Sequence, residues 1–267
     1  GWSAARKQCS RSRKTVSSTT NRGSLLALFE TKDSFPGGSS SYLSNLSRKD
    51  DSKETVTKLK RDILALAAAY DRGFGATQFV RTKMDRLISE LSSYLGASED
   101  VATGFTIGEN NTHNAPLNGT WQMIYTSALD VLSLATPVNT VSAISQELNP
   151  SKQLAVNIID LIPRFPILPN ADAALTRLKV NIQATRRGPK RVGLIFESLE
   201  IQAPWKQLFP FLPSITLDLP TKYLKNISSS YDSPGYFDVI YVDEDMLIIQ
   251  QNAPGGCFVS VKVADCS

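Results

Sequence analysis

FDVIYVDEDMLIIQQNAPGGCFVSVKV, residues 237–263, holds three strand-length runs separated by two turns. Phe237, Val239 and Tyr241 recur every second residue, the period of a half-buried strand. Asp243 to Asp245 forms a turn, Met246 to Gln250 the next strand, Asn252 to Gly256 a second turn, and Cys257 to Val263 the last strand. Upstream, Leu178, Val180, Ile182 and Ala184 alternate with Lys179, Asn181, Gln183 and Thr185. Arg186 to Arg191, with Gly188 and Pro189 at its centre, is a hairpin tip, and Val192 to Ile201 returns. Further upstream, Trp121, Met123 and Tyr125 alternate with Gln122, Ile124 and Thr126. Short antiparallel strands in series predict a mainly β meander that closes into a barrel or a sandwich.

Two apolar segments interrupt this rhythm: Ile162 to Pro169, and Ala203 to Pro220 with prolines at 204, 210, 213 and 220. Proline removes a ladder donor and breaks a helix, so neither segment reads as a central strand or a long helix. Trp205, Phe209, Phe211 and Leu212 make the second too apolar for a solvated loop. They are candidates for a lid over the barrel mouth or for contact with a lipid surface. Arg186, Arg187, Lys190 and Arg191 at the hairpin tip read as solvated turn residues or as an attraction for anionic lipid.

Before the strands the period is helical. Val56, Leu59, Ile63, Leu66 and Tyr70 recur at three and four residues, as do Val80, Met84, Leu87, Ile88, Leu91, Tyr94 and Leu95. Asp71 to Gly75 lies between the two stripes, and its glycines permit a tight reversal. The pattern predicts an αα-hairpin over 53–96, with an apolar stripe that covers a flank or end of the following domain or a partner protein. A barrel over 117–265 completes a domain of residues 51–267.

Residues 1–50 carry nine Lys/Arg against three Asp/Glu, while the remaining 217 carry 20 against 22. The basic pI therefore describes the tail, and no basic face for nucleic acid is expected on the folded part. The tail is rich in Ser and Arg and meets no acid until Glu30, which reads as the remnant of an organelle transit peptide or as a disordered basic segment, followed by linker. No apolar run approaches the roughly 20 residues of a membrane-spanning helix. Cys9, Cys257 and Cys266 include no CxxC, which excludes a disulfide scaffold or a Cys-rich zinc site. His113 sits among Asn and Thr, a loop composition. The chain has no G-x-S-x-G, Gly-rich phosphate loop or HExxH, so the expectation is a protein that is not an enzyme and needs no cofactor or metal. Asp243-Glu244-Asp245 lacks the Gly and distal Glu of a calcium loop and reads as an acidic turn.

Asn118-Gly119-Thr120-Trp121 opens the first strand. Glycine permits a sharp turn while the indole plugs the end of a small barrel, where its N–H can reach a carbonyl. Together with Asp71-Arg72-Gly73, with Tyr125-Thr126-Ser127, and with Phe237, Tyr241, Asp243, Asp245, Gly256 and Phe258, this resembles the plastid lipid-associated protein family, or plastid fibrillins, over roughly Lys53 to Val263. Many members place an Arg after the acidic turn, where this chain has Gln250.

The resemblance implies a lipocalin-like antiparallel barrel after the helical hairpin, and a plastid location in the stroma, at the thylakoid surface or at plastoglobules. It also implies the binding or organising of prenylquinones such as plastoquinone, carotenoids or related isoprenoid lipids. Inward candidates for holding such a lipid are Trp121, Met123, Tyr125, Leu178, Val180, Ile182, Phe237, Val239 and Tyr241. The alternatives are a scaffold that docks a prenyl diphosphate synthase or coats lipid droplets, and an enzyme acting on a lipid-like substrate.

Overall fold

A computed structural model describes residues 40–94, 100–106, 115–164, 176–202, 215–218, 235–252 and 255–263. Cys9, Leu95, His113, Cys266 and the proline-interrupted residues 165–169 and 203–214, with Trp205, Phe209, Phe211 and Leu212, lie outside the described residues. The chain divides into a unit ending at Asn45 and a unit from Leu46 to Ser267; the second is described below.

Eight strands close into an antiparallel barrel. They are β1 (Gly119–Thr126), β2 (Asn139–Asn149), β3 (Leu154–Pro163), β4 (Thr176–Arg186), β5 (Arg191–Gln202), β7 (Gly235–Val242), β8 (Met246–Gln251) and β9 (Gly256–Lys262). Each pairs with the one before it, and β9 pairs with β1 to complete the ring. The pairing of β4 with β5 fixes the barrel rather than the sandwich. The short strand β6 (Ile215–Asp218) pairs with Ser198–Ile201 of β5, beyond the Arg191–Leu194 stretch that pairs with β7.

Helix α1 (Ser40–Ala69) begins inside the stretch that composition assigns to tail and linker, and α2 (Gln78–Ser92) follows it. Leu59, Ile63 and Ala67 of α1 and Met84, Ile88 and Leu91 of α2 share a buried cluster with Tyr125, Met246, Ile248, Cys257 and Val259. The helical stripe therefore covers a flank of the barrel. Each such aliphatic side chain, removed from water, stabilises the union by about 2 kcal/mol.

The turn between the helices is set by left-handed backbone at Asp71 (φ 44°), Arg72 (φ 58°) and Gly73 (φ 100°). Gly73 lies so close to the end of β1 that a Cβ there would stand 2.1 Å from the Thr126 carbonyl oxygen. Arg72 donates to the carbonyls of Val141 (2.7 Å) and Ser142 (2.8 Å), where the pairing of β2 with β3 shifts register. Its guanidinium satisfies carbonyls that the irregular ladder leaves to it.

Helix α1 is also held at the turn between β7 and β8. Lys60 Nζ donates to Asp243 Oδ2 at 2.8 Å, the Tyr241 hydroxyl donates to the same oxygen, and Asp243 Oδ1 accepts from the N–H groups of Asp245 and Met246. Burial pushes the Asp243 carboxyl upward, but these four donors outweigh it and hold the group below the ordinary carboxylate value.

At the same end, Val101, Ala102 and Phe105 are buried and close the barrel. The Ala102 N–H donates to the Pro189 carbonyl, Gln153 Nε2 donates to that of Phe105, and Arg186 pairs with Asp100. The basic hairpin tip thus belongs to the closed end. Arg191 pairs with Asp238 at 2.7 Å and lies 4.0 Å over the Tyr236 ring.

Two outcomes follow for stability. Gly73→Ala loses at least about 2 kcal/mol in urea unfolding, because it joins a left-handed strain to a backbone clash. Gly75→Ala, whose Cβ would have 3.6 Å to its nearest neighbour, stays within about 0.5 kcal/mol of the parent. Asp243→Asn lowers stability at neutral pH by about 1–3 kcal/mol. Because the native carboxyl is depressed, its contribution is full above about pH 4 and is lost as pH falls below that. The gap between parent and Asp243→Asn in pH-dependent unfolding must narrow in acid.

Candidate functional site

Trp121 forms the floor of the barrel interior. It is fully buried, and its Nε1–H donates to the Leu117 carbonyl at 3.0 Å, the partner that the Asn-Gly-Thr-Trp opening anticipates. Lys262, its cross-strand partner on β9, places Nζ 5.2 Å from the ring centroid. Gly119, at φ 129°, makes room for this lysine: a Cβ there would stand 2.8 Å from Lys262 Cε. Gln250 is exposed on β8, so the cation on the indole comes from the last strand.

Above the floor lies a cavity of about 300 Å³. The register of β2 with β3 orders its wall in layers. Leu148 faces Ala155 at the bottom, then Gln146 faces Asn157, Ile144 faces Ile159, and Val141 faces Leu161. At the far end stand Val131 and Leu134, of and just beyond the one-turn helix α3 (Leu129–Leu132). Leu194, Phe196, Phe237, Ile249, Gln251, Phe258 and Ser260 complete the wall from β5, β7, β8 and β9, with Ser145 of β2. Among the described lining residues the single ionisable side chain is Asp130, on α3.

Of the nine inward candidates, Trp121, Met123 and Phe237 line this cavity. Leu178 and Val180 pair with Ile159 and Asn157 and therefore share their face of the sheet, and Ile182 pairs with Ala155 in the filled floor. Val239 pairs with the lining residue Ile249 and is itself buried.

Tyr125 and Tyr241 are a correction to the alternating pattern. Met123 faces Ser260, but Tyr125 faces Val259, because one extra residue of β1 is accommodated between them. Val239 faces Ile249, but Tyr241 faces Ile248 in the same way. A bulge of one residue turns a side chain to the other face of the sheet. Both tyrosines lie against the helical hairpin. The Tyr125 hydroxyl is buried with no hydrogen-bond partner among the described residues, and burial pushes its phenol up to about 12. Burial likewise lifts the Cys257 thiol to about 12, which makes it an unreactive core group.

Strand alternation points to Trp121, Met123 and Phe237, whereas Gln146, Asn157, Ser260 and the α3 residues escape it. The two amides sit on strands whose inward faces mix polar and apolar side chains, so no hydrophobic period marks them.

A closed antiparallel barrel, filled at one end and hollow at the other, belongs to the class that holds one small, largely apolar ligand. The PAP_fibrillin family model matches residues 57–260, from within α1 to within β9, and the chain belongs to that family. It is 28% identical over 164 residues to plastid lipid-associated protein 1, chloroplastic, of Brassica campestris. The match covers 58% of this chain and 43% of that relative, so less than half of the relative's length is spanned.

Tyr125→Phe removes a buried hydroxyl that has no partner among the described residues while keeping the ring. It should leave the unfolding midpoint unchanged or raise it by up to about 1 kcal/mol equivalent, in contrast to the usual loss on deleting a hydrogen-bonding group.

Proposed function

We propose that this protein is a non-enzymatic lipid-binding protein of the plastid that shelters one isoprenoid-type lipid, such as a prenylquinone or carotenoid end group, in its barrel. The observation that carries the reading is the hollow of about 300 Å³ above Trp121, walled by Met123, Ile144, Ile159, Phe237 and Phe258. Burying the apolar part of a ligand there gains about 25 cal/mol for each Å² removed from water. Family membership and the name of the Brassica relative support lipid association and the plastid setting.

Leu129 and Val138, on the segment that includes α3, are 75% and 57% exposed. Large apolar groups left in water beside the cavity favour loading from a thylakoid or plastoglobule surface over loading from solution.

The test is titration of the purified protein with a fluorescent apolar probe, followed by displacement with a short-chain prenylquinone. Saturation at one probe per chain is expected. Ser260→Phe, which projects a ring into the cavity, should weaken the probe at least tenfold while shifting stability by less than about 1.5 kcal/mol. Unchanged probe affinity in that variant would exclude the barrel interior as the site.

A further inference from the structure

The cavity is not uniformly apolar: Asp130 of α3 and Gln251 at the end of β8 stand at its open end, and a second polar group lies deep inside. Going from the floor toward α3 along β2 and β3, the Gln146–Asn157 layer comes directly above Leu148 and Ala155, the apolar pair Ile144–Ile159 follows it on the cavity wall, and Val141–Leu161 lies beyond. A lipid that entered tail first would drive hydrocarbon onto two amides whose polar atoms it cannot satisfy. A lipid that entered head first would bring its polar end to them.

Resting on the cavity reading above, we propose that the barrel takes its lipid head first and selects a small, uncharged ring head that carries a hydroxyl. Gln146 Nε2 donates to Asn157 Oδ1 at 2.8 Å. This bond uses one donor of Gln146 and one acceptor site of Asn157, and leaves Gln146 Oε1 to accept and Asn157 Nδ2 to donate. Both residues line the cavity and are only partly buried. A hydroxyl donates and accepts, so it can meet both demands from a single atom. A hydrocarbon end meets neither demand. A carboxylate only accepts, and it would bring a charge into a cavity lined by no described Lys, Arg or His. A volume of about 300 Å³ is at the small end of ligand sites, room for a ring and a short chain, so the rest of a long tail extends past α3.

The experiment compares three ligands that share ring and chain: 4-pentylphenol, pentylbenzene and 4-pentylbenzoate, each titrated calorimetrically into the whole chain. The phenol is expected to bind one per chain, about tenfold more tightly than pentylbenzene and more tightly still than the benzoate. In the double variant Gln146→Leu with Asn157→Leu, pentylbenzene should bind at least as well as the phenol. Equal affinity for all three in the parent, or a preference for the benzoate, overturns the head-first selection while leaving a cavity that binds lipid. A phenol preference that persists undiminished in the double variant overturns the assignment to these amides. Binding of none of the three overturns the cavity reading itself. Should the double variant fail to fold, the parent ranking decides.

Discussion

Strands β1 and β7 must be apolar on both faces, because one face looks into the barrel and the other supports the helical hairpin. Each solves this with a single inserted residue, which sends Trp121 and Met123, or Phe237 and Val239, one way and Tyr125 or Tyr241 the other. Bulges of this kind also sharpen local twist, which a ring of eight strands needs in order to close. The hollow interior and the covered flank are therefore two results of the same backbone irregularity. Had the alternation been unbroken, two more aromatic rings would occupy the interior and the helices would lose their footing.

The hairpin is held by contacts that tolerate little variation. Gly73 against the Thr126 carbonyl sets the distance of approach, Arg72 on the Val141 and Ser142 carbonyls sets the direction, and Lys60 on Asp243 fixes the other end of the contact. Arg72 bonds to carbonyls of β2 at its irregular point, just where that strand reaches the apolar layers of the cavity. The helices thus help to determine cavity shape without lending a side chain to its wall among the described residues.

Much of this is legible in the amino-acid order, and the omissions have physical causes. The helical stripes at Leu59, Ile63, Met84 and Ile88 and the strict alternation from Leu178 to Ala184 are strong because each faces solvent on one side and a core on the other. The left-handed turn is foreshadowed by Gly73, and Asp71 is of a type that tolerates positive φ, yet Arg72 adopts it too, which its residue type does not announce. Strands β2 and β3 leave no clear period: Gln146 and Asn157 point inward, Val156 and Ile158 lie on the other face, and the register shifts after Val141. The layer that gives the cavity its polar character is hidden for the same reason. Lys262 over Trp121 is likewise invisible in one dimension, since 141 positions separate two side chains that the closing strand pair sets opposite each other.

The sealed floor has a bearing on traffic. With Trp121 hydrogen-bonded beneath and Phe105 buried at that end, the vessel is a bottle and not a pipe. The described residues offer no back door at this end, so an occupant would leave by the route it came. Exchange between two lipid reservoirs would then run strictly by turns, emptying at one surface before filling at the next.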